Sequence, residues 1–291
     1  MRSALRVLAW PVMVLGATWV TRLGLERGLS PEVWSVLVAA VGALTVVALE
    51  RILPYRASWN RSRGDVATDL LHLLISVGVA GELGRRMALA ARTLAPTWSE
   101  AWPWPLRLLL ALVIAELGAY TIHRLEHRGG WLGRVHAVHH SAPRLHALNV
   151  VRNHPVDAWL TSLATIGLPF TLGADPDTLT VLLVFSSVHA AFQHGNVDLA
   201  LGPLNLVLSG PEVHRWHHHR RRSFSDANYG QVLLVWDLLL GTRRVPPGDP
   251  PEDVGIDGDP VPPGWLGQVG FPFIAPGSAR PGSGRSPPPA P

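Results

Sequence analysis

The chain has 291 residues, of which 25 are basic, 21 acidic and 47% apolar, while charged residues make up only 16%; its mean hydropathy is positive, +0.20. That balance fits a protein dissolved partly in lipid better than an ordinary soluble domain. There is no cysteine, which excludes disulfides, zinc–thiolate sites, iron–sulfur clusters and thiol nucleophiles, so any metal must be held by nitrogen and oxygen.

In chain order, four apolar runs approach the length of about 20 residues that a bilayer-spanning helix needs. The first starts at Leu5 and reaches Leu23 if Arg22 extends its stem along the helix toward the interface. It follows a basic start, and no cleavage pattern succeeds it, so an anchor is expected rather than a removed signal peptide. The second runs from Val33 to Leu49. The third, from Val66 to Leu83, is weakened by Asp69, His72 and Glu82. The fourth leads from Trp104 straight into His123. A helical hairpin is expected next, from Ala158 to Leu172 and from Thr178 to Phe192, turned by the stretch "GADPD".

Arginine placement orients these spans. Arg51, Arg56, Arg61 and Arg63 follow the second run, and another arginine-rich stretch begins at Arg124. The positive-inside rule puts both on the cytoplasmic side and the tryptophan-rich turn near Trp98, Trp102 and Trp104 on the other, with Arg85, Arg86 and Arg92 as mild counter-evidence. From Pro246 onward the proline- and glycine-rich composition predicts a disordered tail.

Fourteen histidines are present, and most gather at the predicted cytoplasmic ends of spans. "HRLEH" places His123 and His127 four residues apart. "HAVHH" carries His136, His139 and His140, and "HRWHH" carries His214, His217 and His218. Residues three or four apart share one face of a helix, so each group aims its imidazoles to one side. His189 and His194 close the last apolar run on the same side. Neutral imidazole suits iron, zinc, copper or nickel, whereas magnesium and calcium want oxygen. Eight or more candidates exceed the needs of one ion, which implies two metals, with the duplicated motif contributing to both ions or one copy to each. Carboxylates are expected to orient the rings, and Glu126, Asp157, Asp198 and Asp226 are available. His72 reads as a hydrogen-bonded packing residue, His146 and His219 as residues outside the site, and His154, ahead of Pro155, as either a helix cap or a ligand.

In this order and spacing the histidine groups resemble the fatty acid hydroxylase/sterol desaturase superfamily. So do "ERILPYRASWNRSRGDVATDLLH" from Glu50, "RNHP" at Arg152, "QHGNV" at Gln193 and "DANYGQVLLVWDLLLGTRR" from Asp226. The resemblance covers roughly residues 50–244. It implies an all-α, multi-span membrane helical bundle with a cytoplasmic, helical, histidine-rich metal-binding cap. Residues 1–49 then form N-terminal membrane spans, 50–245 the catalytic region and 246–291 the tail. The implied activity is that of a non-haem di-iron oxygenase, which hydroxylates or desaturates a lipid C–H bond with dioxygen and external electrons. By motif position the resemblance assigns metal ligation to His123, His127, His136, His139, His140, His214, His217 and His218, and at least one more ligand comes from the central pair His189 and His194. That pair is separated by four residues where three are common in the family.

Two iron ions are the implied cofactor, and zinc is able to replace iron in purified samples. The implied partners are a bilayer lipid, dioxygen and a separate electron donor of ferredoxin or cytochrome type, or a diffusible reductant, since no nucleotide-binding fingerprint is present. No nucleic-acid partner is expected, and the location implied is a bacterial inner membrane. Two other readings stay open. "HRLEH" also fits the His-x-x-Glu-His pattern of zinc peptidases, with Glu126 as general base, but this leaves both His-x2-His-His groups unexplained. A non-catalytic metal-binding membrane protein is the other.

Overall fold

The computed structural model of the protein describes residues 2–90, 96–98, 101–258 and 261–274. Helices dominate, and no β-strand longer than an isolated bridge occurs among the described residues. Four helical stretches are long and apolar enough to cross a membrane. They are α1 (Arg2–Glu26), α2 (Pro31–Ile52), the continuous rod over residues 66–90, and α5 (Trp104–His127). The rod comprises α3 (Val66–Leu71), wide turns over His72–Gly81 and α4 (Glu82–Ala90).

Local chemistry sets the helix ends. Ser30 caps α2 by accepting from the Val33 amide, with Pro31 at the first helical position. Asp175 does the same for α9 (Pro176–His194), its Oδ1 accepting from the Thr178 amide at 2.9 Å. Between α5 and α6 (Gly130–His140) the chain reverses on Gly129 and Gly130, whose φ of 89° and 67° suit glycine alone. The expected hairpin forms from α7 (Pro155–Ser162), wide turns over Leu163–Gly167, α8 (Leu168–Thr171) and α9.

Helix α9 is the centre of the bundle, packed against α1, α2 and α5. Gly42 of α2 permits one close approach, since a Cβ there would lie 2.6 Å from a Val188 methyl. The outer helices are patterned inside out. Val33 and Val36 are each 69% exposed and Leu74 is 65% exposed, whereas Asp69, His72 and Ser76 are fully buried. Lipid solvates the apolar outside, and polar groups turn inward to find partners. This explains why the third run looked weak as a span: its polar residues face protein.

The start of α1 and the ends of α2, α5 and α9 lie at one end of the bundle. There Arg6 pairs with Asp198 at 3.0 Å, the Asp198 amide donates to the Leu53 carbonyl, and Glu50 accepts from the Asn196 amide. The histidine-bearing helices α6 and α10 (Pro211–His217) cover this end. The short helices α11 (Arg222–Ser225), α12 (Val235–Leu239) and α13 (Trp265–Gly270) follow.

The disorder expected from Pro246 is not what residues 246–258 and 261–274 show. Val254, Val261 and Phe271 are buried in small apolar clusters. Arg220 pins the segment through Asp253 and the carbonyls of Val254 and Ile256, and Gln268 of α13 accepts from His72 at 2.8 Å. A few large side chains, sparse in composition, suffice to anchor proline-rich chain on an existing surface. Residues 275–291, the remainder of that expectation, lie outside the described residues, as does Arg92.

Candidate metal centre

Nine histidines converge into two adjacent groups: His123, His127, His136, His140 and His217 in one, His139, His194, His214 and His218 in the other. Helical geometry explains the division. In "HAVHH" the i, i+4 pair His136 and His140 joins the first group and His139 crosses to the second. In "HRWHH" the pair His214 and His218 joins the second, and His217 crosses to the first. Each copy of the motif therefore serves both groups with opposite weighting. The glycine reversal at 129–130 folds α6 back on α5, so that the His123 and His136 rings lie 4.7 Å apart and those of His127 and His140 4.9 Å apart.

In the five-histidine group every Nε2 is free of a protein partner, and four Nδ1 atoms are engaged. His123 donates to the Tyr229 carbonyl at 2.7 Å and His217 to the Ala227 carbonyl at 2.8 Å. His127 donates to Asp226 at 2.9 Å, and His136 to Asp157 at 2.9 Å, with Glu126 Oε2 3.3 Å from the same nitrogen. A proton fixed on Nδ1 leaves the Nε2 lone pair pointing inward, the tautomer a metal ligand requires. In the four-histidine group the Nε2 atoms themselves meet. Those of His139 and His194 are 3.1 Å apart, and those of His194 and His214, and of His214 and His218, 3.0 Å. His139 is steered by the Arg152 carbonyl and His194 by the Ala190 carbonyl.

Converging lone pairs without protons between them are what a transition metal about 2.0–2.1 Å from each nitrogen would use. Burial, reinforced by the neighbouring imidazoles, holds His139, His140, His214 and His218 well below the usual histidine range. Burial also lowers His217, to about 3. The rings are neutral, which is the ligating form.

The remaining candidates part company here. His189 joins neither group: Trp10 Nε1 donates to its Nδ1 at 3.0 Å, and its Nε2 lies 3.1 Å from the Ser209 carbonyl. His194 lies five positions further along, and at 3.6 residues per turn that places the two about 140° apart around α9. His154 uses both nitrogens, capping Val156 and donating to the Val269 carbonyl. His72 is likewise committed to Ser76 and Gln268. Of the four carboxylates, Glu126, Asp157 and Asp226 reach histidines, whereas Asp198 is occupied with Arg6, half-exposed and away from the site. His72, His154 and His189 spend both nitrogens on groups outside the cluster, whereas His123, His127, His136 and His217 spend Nδ1 and leave Nε2 free.

Sequence reading missed the supports. Asp65 and Asp69 pair with Arg144 and Arg152 at 2.7 Å in a buried cluster with His146, and Arg152 is the residue whose carbonyl steers His139. Burial works against ionising Asp65, but His146 and Arg144 outweigh it and hold the carboxyl far below its usual range. His146 is raised despite burial because Asp65 and Asp69 stand 3.6 and 3.2 Å from its Nε2. The paired acids at an i, i+4 spacing in "DVATD" were the available signal.

Two cavities touch the histidines. One of about 260 Å³ runs from His123, His136, His139, His194 and His214 between α7 and α9, past Asp157 and Gln193 to Ile166 and Leu183. The other, about 270 Å³, meets only the five-histidine group and is walled by Gly133, Arg134, Arg220 and Arg222.

Comparison with known proteins agrees with this arrangement. The fatty acid hydroxylase family model matches residues 108–242. The chain is 34% identical over 289 residues to ornithine lipid hydroxylase OlsE of Rhizobium tropici, covering 93% of this chain and 85% of that protein. It is 30% identical over 145 residues to human alkylglycerol monooxygenase, covering 50% of this chain and 31% of that one. With the sterol desaturase erg3B of Aspergillus fumigatus it shares 28% over 148 residues, 50% and 42% of the two chains. No solved structure matches.

Proposed function

The chain belongs to the fatty acid hydroxylase family, and from that premise we propose that its two histidine groups hold a pair of iron ions with which it hydroxylates a membrane lipid. The observation that carries this is the set of nine imidazoles, eight buried and that of His127 half-buried, that converge in two adjacent groups. The chain is an integral membrane enzyme, a lipid oxidoreductase of the membrane di-iron oxygenase type. A pair of irons, when bound, supplies activation of dioxygen and an oxidant able to remove hydrogen from an unactivated C–H bond.

The protein's own part is placement. Nδ1 protons of His123, His127, His136 and His217 are held by acceptors, which fixes the rings before metal arrives. The cavity between α7 and α9 takes the lipid: Ile166 and Leu183 wall its apolar part, and Asp157 and Gln193 stand among the histidines. The apolar wall at Ile166 and Leu183 disfavours water beside the reacting carbon. Glu126 Oε1, buried and without a protein partner, borders both cavities and is placed to accept a hydrogen bond from water or from substrate. The zinc-peptidase reading loses support here, because Glu126 Oε2 turns toward His136 and three further histidines, His136, His140 and His217, join the pair that reading requires.

The substrate we propose is an ornithine lipid, the lipid named by the relative matched along most of both chains. The test is iron-loaded protein in lipid nanodiscs with ornithine lipid, a reductant and isotopically labelled dioxygen. Product heavier by one labelled oxygen is expected, and incorporation of oxygen from water instead, or none, rejects the reading. We further propose that the histidine end faces the cytoplasm, on the strength of Arg56, Arg61 and Arg63 at that end. A phosphatase reporter fused after His140 should be inactive, and an active one reverses the orientation.

A further inference from the structure

We propose that Asp237 is a positioning residue for the five-histidine group, acting on His123 through the peptide unit that joins Tyr229 to Gly230. The inference rests on the proposed ligation by His123. One planar peptide unit contains the Tyr229 carbonyl and the Gly230 N–H. The Gly230 N–H donates to Asp237 Oδ2 at 2.8 Å, and the Tyr229 carbonyl accepts from His123 Nδ1 at 2.7 Å. Hydrogen bonds in series polarise one another. A negative acceptor at the N–H end shifts density to the carbonyl, which then draws harder on the His123 proton, and the ring becomes a stronger donor at Nε2. Directly bonded carboxylates raise the basicity of a metal-bound histidine in the same way; here the effect crosses one peptide unit.

Asp237 is fully buried on α12; burial raises its carboxyl above the usual range, and its three donors act in the opposite direction. Oδ1 accepts from the Tyr229 amide at 2.9 Å and the Thr242 hydroxyl at 2.7 Å, while Oδ2 accepts from Gly230. Three donors on two oxygens describe an acceptor-only group, the carboxylate. The chain of donors extends outward: Tyr120 lies 3.0 Å from the Thr242 hydroxyl, and Arg124 donates to Tyr120 at 2.9 Å.

The whole segment is built for this. The carbonyls of Ala227, Tyr229 and Gln231 alternate toward the site and accept from His217, His123 and Gln193. Glu116 of α5 takes the next two amides, Gln231 and Val232, at 3.0 and 2.9 Å. Two buried carboxylates thus hold four consecutive amides. Gly230 has no substitute, since a Cβ there would lie 2.2 Å from the Leu233 carbonyl oxygen and 3.1 Å from Asp237 Oδ2. The Glu116 branch is an internal control, because its peptide unit ends on the Gln193 amide rather than on an imidazole.

The test uses the full chain in detergent, loaded with iron(II), and compares wild type, Asp237→Asn and Glu116→Gln by chelator competition and spectroelectrochemistry. For Asp237→Asn one of the two irons should bind about 10-fold more weakly, and its reduction potential should rise, because His123 donates less density. Glu116→Gln disturbs the same segment but should leave affinity and potential unchanged. Equal shifts in both variants, or none in Asp237→Asn, overturn the relay. If Asp237→Asn does not fold, Thr242→Val removes one donor from the carboxylate and should lower the potential; an unchanged or higher value overturns the proposal. A wild-type chain that takes up fewer than two irons overturns the proposed function along with the relay, whereas a two-iron wild type with an unresponsive Asp237→Asn overturns the relay alone.

Discussion

The two histidine groups lie side by side and share helices α6 and α10 but differ in what steers them. The five-histidine group is oriented partly by side-chain carboxyl groups, with Asp226 on His127 and Asp157 and Glu126 on His136. In the four-histidine group the acceptors found for His139 and His194 are main-chain carbonyls. A dication among neutral imidazoles keeps its full charge, so nearby carboxylates decide how comfortably each position holds it. The difference teaches that two sets of identical ligands, supplied by two copies of one motif, become inequivalent through the groups behind them. The cavities follow the same line: the one walled by Arg134, Arg220 and Arg222 meets only the five-histidine group, and the one between α7 and α9 meets both.

The sharpest way to break this comparison is to remove one ligand from each side. His217→Ala and His218→Ala, adjacent in sequence, should each lose one metal, and a different one. Elemental analysis and the spectrum of the remaining ion read this out, with lipid hydroxylation falling by more than about 100-fold in both. Identical residual spectra would mean that the two groups act as one site.

Asp157→Asn and Asp226→Asn come next. Each should weaken metal loading or turnover by about 10–100-fold, with the effect confined to the ion of the five-histidine group. A matching loss at the other ion would erase the asymmetry.

His189→Gln has a smaller effect. Both metals should stay bound, and the thermal transition in detergent should fall by an amount equivalent to about 1–2 kcal/mol, the loss of a buried hydrogen-bonded link between Trp10 and Ser209. Loss of a metal in this variant would return His189 to the ligand set. The smallest change is Asp198→Asn. It opens a partly exposed ion pair with Arg6, so stability should move by less than about 1 kcal/mol and metal content should not move.

The amino-acid sequence by itself determined much of this protein. Apolar runs set the four long helices, because a bilayer fixes their length. The spacing of "HRLEH", "HAVHH" and "HRWHH" determined that eight imidazoles would be presented in three groups, because a helix puts residues three and four apart on one face. Which histidines meet was a tertiary decision. His189 and His194 are equally apolar in context, and only the rotation of α9 against α1 and α10 gives one to Trp10 and the other to the metal centre. The tertiary structure also decided that Asp226, Asp157 and Glu126 stand behind rings while Asp198 holds the start of α1. It showed that residues 246–258 and 261–274 pack on the bundle despite their composition, and that Asp237 reaches His123 across 114 positions of chain through a single peptide unit. Local pattern encodes the direction in which a side chain leaves its own helix. The identity of the partner it finds depends on contacts between segments far apart in sequence, and those are fixed only when the helices pack.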